Sequence, residues 1–458
     1  MRRIFSAPED DFNESVKRYE AFLSNHDGTS GYFDVEELED IVDYYLRSGR
    51  TKDSSGALEF GLKLHPNNFA LRIKRAKIYL ATGDTHKAYS ILESLGMQDD
   101  YELNLLKIEA LRKLERREEA HRLCEHLIEK EGEDVDQVCL DIAYIFLTDY
   151  DINSAFQYLK RGVAHNPDNE ELLFELAFCY EHLNEHAKAI RTYNHILTKD
   201  PYAGEAWFNL GQIYFTHQKF QHALDAFEYA RVINPDDSLT CLQKAHTHFQ
   251  MQQYDDALDE FFAFEELTGD SGQTYPYIGE CYERLERYQD AITFYQKALD
   301  KDKDNYDALI GITVCLMEQD LFQESLHYIQ QAIQVKNDDA DAWVYFAEGL
   351  MGLDDTAAAL LAYMKSIELN PVQPDTLMAI ANIFMEQEEF GLAIEYYQQA
   401  LKYDEYHELE NIHLFMAVAY HLAENEDAAQ LSLAKAMEEN LDAQKIYNEI
   451  CGETKNKE

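Results

Sequence analysis

The sequence predicts an all-α solenoid of about twelve 34-residue helix-turn-helix repeats, with a helical cap at each end. Three observations predict this fold class. Only 19 glycines and 8 prolines among 458 residues leave little material for hairpin turns, so helix is the favoured element. Prolines recur every 34 residues, as Pro167, Pro201 and Pro235 show, and a fixed period of this length is typical of stacked repeats. Equivalent positions of successive repeats also hold residues of similar size.

The repeat register follows from counting each of these prolines as the thirty-second residue of its repeat. Eight repeats then run from Asp136 without insertion or deletion, and three before them and one after them fit with small slips in length. We therefore expect repeats over residues 35–443. The twelve predicted repeats start at Val35, Phe69, Tyr101, Asp136, Glu170, Gly204, Ser238, Gly272, Tyr306, Ala340, Pro374 and Glu410.

Each repeat has the side-chain pattern of two amphipathic helices joined by a tight turn. The twentieth residue is small in every repeat, and the eighth is small in most of them. The eleventh and twenty-fourth residues are usually bulky, as Tyr180 and Tyr193 illustrate. Small and large residues at these spacings allow neighbouring helices to interdigitate closely.

One repeat carries eight residues at the consensus spacing of a known family: Trp207, Leu210, Gly211, Tyr214, Ala223, Phe227, Ala230 and Pro235. It resembles the tetratricopeptide repeat family. The resemblance implies a right-handed superhelix of helix pairs, whose first helices line a concave groove that holds peptides and partner proteins. Some repeats depart from the family pattern, since Arg72 and Arg75 stand where apolar residues are usual and Lys303 replaces the terminal proline.

The two ends have the pattern of caps rather than of further domains. We expect residues 1–34 to form a capping helix and a turn, because Ser6 and Glu9 have capping-box spacing and apolar residues follow at helical spacing. At the other end, Leu441 and Tyr447 are predicted to cover the last repeat. Residues 444–458 are then the end of a capping helix and a tail.

The charge balance excludes some classes of partner. Asp and Glu number 87 against 40 Lys and Arg, a formal net charge of −47. So acidic a surface repels phosphate, and the sequence therefore predicts no nucleic-acid partner. No stretch approaches the roughly 20 consecutive apolar residues of a membrane span, and the N-terminal residues turn acidic before any signal-peptide core. We expect a cytoplasmic protein that does not insert into a membrane.

No residue pattern indicates catalysis, a cofactor or a metal site. The seven cysteines lack a C-x-x-C pair and fall mostly on packing positions, which predicts buried structural thiols. His182 and His186 stand at i,i+4 spacing, but neither this pair nor His246 and His248 has a third ligand in view. G-x-S-x-G, P-loop and G-x-G-x-x-G motifs are absent from the sequence. The sequence predicts that the protein is not an enzyme.

A row of apolar residues occupies the fifth, ninth and twelfth positions, which the family resemblance turns toward the concave side. Exposed apolar rows reduce solubility unless they serve an interface, so this row is the predicted partner-binding groove. Roughly half of it is expected to be core, because the fifth position is partly buried in such arrays. The predicted groove consists of Tyr144, Phe174, Phe178, Phe208, Phe215, Leu242 and Phe249.

A basic zone near the N-terminus departs from the acidity of the chain. Between Gly61 and Arg122 there are 12 Lys and Arg against 9 Asp and Glu, a net charge of +3. One reading is an ordinary solvated helix face. The other is a docking patch for an acidic partner, or for the acidic end of another copy of the chain. The patch residues are Arg72, Arg75, Arg112 and Arg116.

These observations favour a non-enzymatic scaffold or adaptor that holds a peptide or helix of another protein in its groove. Two other functions stay open. One is a regulatory module that senses a small ligand or a signalling peptide, and the other is an accessory subunit of a secretion or surface-polymer assembly. Self-association is compatible with each of them.

Overall fold

The computed structural model describes residues 14–24, 32–96, 100–132, 134–404, 409 and 411–454. Over these residues the chain forms 26 α-helices and no strand. The predicted all-α class of paired helices is therefore confirmed. Contacts divide the chain into two compact units, with the division between Ile213 and Tyr214. Within the described ranges, no helix is both long and apolar enough to cross a membrane.

The first compact unit contains one leading helix and then consecutive helix pairs. Helix α12 (Gly204–Thr216) begins in this unit and ends in the second. The other helices of the first unit are α1 (Glu14–Ser24), α2 (Val35–Arg47), α3 (Thr51–Leu64), α4 (Phe69–Ala81), α5 (Thr85–Ser94), α6 (Tyr101–Lys113), α7 (Arg117–Lys130), α8 (Val135–Thr148), α9 (Ile152–His165), α10 (Glu170–His182) and α11 (His186–Lys199).

The second compact unit continues the pairs and ends on one additional helix. Its helices are α13 (Phe220–Ile233), α14 (Ser238–Gln250), α15 (Tyr254–Thr268), α16 (Tyr275–Arg284), α17 (Tyr288–Lys301), α18 (Tyr306–Met317), α19 (Phe322–Val335), α20 (Ala340–Met351), α21 (Thr356–Leu369), α22 (Pro374–Glu386), α23 (Phe390–Tyr403), α24 (Ile412–Leu422), α25 (Glu426–Glu439) and α26 (Ala443–Thr454).

Local capping explains where the even-numbered helices begin. An Asp or Asn precedes many of them, and its side chain accepts a hydrogen bond from a backbone N–H of the first turn. Asp34 also forms a capping box with Glu37. The capping residues are Asp34, Asn68, Asp100, Asn169, Asp237, Asn305 and Asp339.

The predicted repeat starts lie within three residues of the observed helix starts. The largest offset is at Gly272, since α16 begins only at Tyr275. Here the preceding loop is held by the buried carboxylate of Glu265, which accepts hydrogen bonds from the backbone N–H groups of Gly272 and Thr274 at 2.7 and 2.9 Å. This carboxylate replaces the bonds that a regular helix start provides.

The turn inside each repeat has a left-handed residue at its fifteenth position. At Gln252 the φ angle is 58°, and the next N–H, of Gln253, donates to the carbonyl of His248 at 2.9 Å. This is the hydrogen-bond pattern of a Schellman helix end. Glycine usually supplies the left-handed residue, as Gly49 and Gly83 do in the first two repeats. In later repeats the residue is mostly Asn, Asp, Gln or Glu.

The core consists of small residues from one helix set against large residues from another. Ala189 and Ala223, each the twentieth residue of a repeat, have no exposed surface. Gly279, an eighth residue, faces the ring of Tyr295, and a Cβ there would stand 2.7 Å from the Cδ1 atom of the ring. These positions are small because the adjacent aromatic side chain occupies the space.

Helices α1 and α26 pack on the ends of the helix pairs. Val16 and Tyr19 of α1 are buried in a cluster with residues of α2 and α3. Ala443, Tyr447 and Cys451 of α26 are buried with residues of α24 and α25. The predicted capping box at Ser6 and Glu9, most of the predicted turn before residue 35, and the last four residues lie outside the described part of the chain.

Candidate partner-binding cleft

The seven residues of the predicted groove are divided between the two compact units. Tyr144, Phe174, Phe178 and Phe208 belong to the first unit, and Phe215, Leu242 and Phe249 belong to the second. All seven side chains are half-buried. Each of these side chains is therefore partly packed against its neighbours and partly accessible.

Tyr144 of α8 and Phe178 of α10 come together in one cleft of the first unit. Both are the ninth residue of a repeat, and both pack against a core cluster that residues of α6 to α10 form. The cleft is small and opens to solvent. Its walls are Tyr144, Leu147, Thr148, Tyr150, Ile152, Glu175 and Phe178.

Helix geometry holds the ring of Phe178 in place. Its centroid lies 4.0 Å from that of His182, one helical turn later. The Nδ1 atom of His182 is 3.0 Å from the backbone carbonyl of Phe178. The His182 imidazole is therefore held by its own helix, and it supports the Phe178 ring at the wall of the cleft.

Tyr150 is a cleft residue that the sequence reasoning missed. It is the left-handed residue of its turn, with φ of 56°, and its side chain is 73% exposed. Among the described non-glycine residues with positive φ, it is the one aromatic. The available signal was a tyrosine at the fifteenth position, where other repeats have Gly or a polar residue.

Glu175 is the acidic group of the cleft. It is the sixth residue of its repeat and is half-buried. Burial raises the pKa of its carboxyl, although a positive charge and a hydrogen bond from the Tyr144 hydroxyl act in the opposite direction. Glu205 and Glu171 also raise this pKa, since their negative charges disfavour a further one. The cleft therefore combines largely apolar walls with one carboxyl group.

The other predicted groove residues have aromatic or core neighbours. The ring of Phe174 lies 6.0 Å from that of Tyr193. Phe215 lies 5.7 Å from Phe220. Phe249 contacts Tyr254 at 5.5 Å, and both Phe249 and Leu242 pack against the core of the second unit. Phe208 is half-buried on α12, and neither it nor these residues line the cleft of Tyr144 and Phe178.

Arg112 has a structural position rather than the surface position predicted for it. The residue is only 9% exposed, and its guanidinium lies 4.5 Å from the centre of the Phe146 ring. Its Nη2 atom is 3.0 Å from a carboxylate oxygen of Asp151. The prediction that Arg112 belongs to an exposed docking patch is therefore wrong, because α8 and the following turn cover it.

The remaining predicted patch residues are partly engaged within the chain. Arg116 donates two hydrogen bonds to Glu119, at 2.8 and 2.7 Å, and stacks 4.6 Å from the centre of the Tyr89 ring. Arg72 donates to the hydroxyl of Ser94 at 2.7 Å, and Arg75 is half-buried. Of these three arginines, Arg116 is therefore paired with an acidic side chain of its own repeat.

The cysteine thiols and His246 are packed against other residues of the fold. All seven cysteines are free and buried, and burial raises the pKa of Cys124, Cys179 and Cys281 to about 12. His246 packs edge-on against Tyr277 with ring centroids 4.8 Å apart. In the part of the chain that the structure describes, no three His, Cys, Asp or Glu side chains come together as a metal site requires.

Family models match along much of the chain. A model described as tetratricopeptide repeat matches residues 146–212 and 284–344. Three further models with the same description match residues 204–237, 242–307 and 374–407. Together these segments cover half of the sequence, including the whole of α10 and the last three residues of α8.

Individual proteins show the same kind of similarity. Tetratricopeptide repeat protein 6 of Homo sapiens is 28% identical over 111 residues, which are 24% of this chain and 20% of that protein. The C-terminal part of a TPR repeat-containing protein from Cytophaga hutchinsonii has a TM-score of 0.45 at 16% identity, over 52% of this chain and 98% of that one. The Cut9–Hcn1 structure of the APC/C has a TM-score of 0.38 at 14% identity, over 92% and 98%. These structural likenesses carry no information about a ligand.

Proposed function

Because this chain belongs to the tetratricopeptide repeat family, we propose that it is a non-enzymatic adaptor that holds a segment of a partner protein at the cleft of α8 and α10. Proteins of this family serve generally as protein-interaction scaffolds. The observation that carries the proposal is the cleft itself, in which Tyr144, Tyr150 and Phe178 offer apolar surface to solvent.

The physical argument rests on what exposed aromatic surface does. Aromatic side chains at a surface contribute large contact area at low conformational cost, and they dominate the affinity of many interfaces. The half-buried Tyr144 and Phe178 are already packed on the core, so a partner can contact their rings without having to order them. An extended segment or a helix can place one or two side chains into such a cleft.

A cytoplasmic location is part of the proposal. Its support is the state of the seven cysteines, all of which are free and buried. Proteins that rely on free thiols in their core are typical of reducing compartments.

The test starts with a partner recovered from native lysate and identified by mass spectrometry, whose binding segment is then titrated by calorimetry. We expect Phe178→Ala to weaken binding by about 1–3 kcal/mol, as for an interface hot spot. Tyr202→Ala is the matched control, since Tyr202 is an aromatic residue that is 79% exposed and lies outside the cleft.

Circular dichroism separates loss of binding from loss of fold. Phe178→Ala should retain the helix signal of the unaltered protein, because the Phe178 ring lies at the edge of the core and is partly exposed. Equal affinity of the Phe178→Ala variant and the unaltered chain would show that the partner binds elsewhere.

A further inference from the structure

We propose that the exposed face of α21 is a contact surface for a second copy of this chain. The inference is independent of the proposed function, because α21 belongs to the second compact unit and the cleft belongs to the first. The residues that carry it are Leu361 and Met364, which lie one helical turn apart and are 70% and 41% exposed. Ala357, one turn earlier, extends the same exposed face.

Helix α21 lacks the polar face that a surface helix normally has. Only four of its 14 residues are polar. Its inner side contributes Ala359, Ala362 and Tyr363 to a core cluster of the second unit, yet its outer side is apolar as well. A helix that is apolar all round is ordinarily buried on every side. The exposed side of α21 is therefore a surface that gains from being covered.

Other repeats have polar residues where α21 has Leu361 and Met364. These two are the twenty-second and twenty-fifth residues of their repeat, and among the twelve repeats this one alone has large apolar side chains at both positions. The helix fold of a repeat thus does not require them. The equivalent residues are His327 and Gln330 in α19, and Glu395 and Gln398 in α23.

Charge favours a second copy as the occupant. The chain has a formal net charge of −47, so two copies repel each other across most of their surface. In α21, however, no Asp or Glu occurs from Thr356 to Ile367, and the Glu368 carboxylate is paired with Lys365 at 2.8 Å. Helices α19, α21 and α23 together have three glutamates and two lysines, a net charge of −1. This nearly neutral face allows two acidic copies to approach, and it gives a strongly charged partner little attraction.

The face is also complementary to itself. A two-fold contact requires one patch to fit a second copy of the same patch. When two α21 helices cross antiparallel, Leu361 of each copy faces Met364 of the second copy, and side chains of such similar volume interdigitate. A contact one helix long is at the small end of specific interfaces. We therefore expect reversible, concentration-dependent pairing rather than a permanent dimer.

The experiment is sedimentation velocity on the full chain over a wide range of concentration. The average mass should rise toward that of two copies as concentration increases. Leu361→Glu should raise the Kd of pairing at least about tenfold, because it puts a charge at the centre of the contact. The control is Val232→Glu on α13, since Val232 is also 70% exposed. It should pair like the unaltered chain, and circular dichroism should show the same helix content in both variants.

Salt provides a second readout. Added salt screens the repulsion between two acidic copies, so the Kd of pairing should fall as ionic strength rises. A Kd that rises with salt would show that oppositely charged surfaces meet, and it would overturn the α21 contact. Equal Kd values for Leu361→Glu and Val232→Glu would overturn it as well.

Other occupants of the face give a different result. If the chain stays monomeric at every concentration, self-association is overturned, and a protein captured from lysate by the unaltered chain but not by Leu361→Glu would then be the occupant. The proposed function is tested separately, because Phe178→Ala should pair normally. Loss of pairing in Phe178→Ala would place the contact at the cleft and overturn its assignment to α21.

Discussion

The sixth and ninth residues of the first helices form an ion network in one part of the first compact unit and an open cleft in another. In α4 they are Lys74 and Lys77, whose Nζ atoms lie 2.9 and 3.0 Å from the carboxylate of Asp43 in α2. In α10 they are Glu175 and Phe178, which line the cleft. Equivalent backbone positions therefore serve either to attach neighbouring repeats or to present a binding surface.

The difference depends on whether the neighbouring repeats supply a complementary charge. Lys74 is 6% exposed and lies within 4 Å of carboxylates of Asp43, Glu102 and Glu39. Burial would lower the pKa of Lys74, but these carboxylates outweigh it and raise the pKa. The network is satisfied internally, so this surface has little to offer a ligand, in contrast to the cleft.

The largest expected effect comes from breaking the network. Lys74→Ala should lower the free energy of unfolding by about 3 kcal/mol, because it leaves carboxylates in a half-buried site without their main cation. Urea unfolding followed by circular dichroism measures it. Lys87→Ala is the control, since the Lys87–Asp84 pair is exposed and pairs of that kind contribute little to stability. Similar losses in the two variants would contradict the comparison.

A second prediction distinguishes the cleft from the ion network by the pH at which a carboxylate of each one is protonated. Burial raises the pKa of Glu175 above its usual 4.5, whereas Lys77 and Lys74 overcome the effect of burial and lower the pKa of Asp43 below its usual 3.8. As pH falls, Glu175 is therefore protonated before Asp43. The stabilisation from Asp43 persists above its usual pKa and is lost only as pH falls through the lower, folded value.

Titration of the identified partner segment between pH 7 and about pH 4 tests this order of events. Binding at the cleft should change before the circular dichroism signal changes, and this early change should be absent from the variant Glu175→Gln. Binding and helix content that fall together would show that the cleft has no separate titration.

The smallest expected effect concerns the strained turn. Tyr150→Gly should raise the free energy of unfolding by about 0.5 kcal/mol, since relief of left-handed strain exceeds the added entropy of the unfolded chain. Gly83→Ala makes the opposite change at the same turn position, where φ is 85° and the added Cβ would meet nothing within 4 Å. It should be destabilising. A stability loss in Tyr150→Gly would mean that the ring is needed for the fold.

Much of the fold could be predicted because its information is local and repeated. The 34-residue period located each even-numbered helix to within three residues. The small residue at the twentieth position predicted close helix contact, and Ala189 and Ala223 are fully buried. The one clear offset, at Gly272, depends on the Glu265 carboxylate, whose hydrogen bonds to the loop carry no periodic signal.

The binding surface could be predicted only in part. The family spacing identified Tyr144 and Phe178, but it grouped them with Phe215 and Phe249, which rest on Phe220 and on Tyr254. Periodicity assigns a residue to a helix face and does not reveal which neighbour covers it.

The sequence by itself determined the helix pairs, their register and the acidity of the chain, because spacing and composition act within one repeat. The tertiary structure decided which side chains stay open. It buried Arg112 against Phe146 and Asp151, and it put Tyr150 beside Phe178. The partners of these side chains come from the next repeat, about one period away in sequence, and a pattern that is the same in every repeat does not encode which pairs meet.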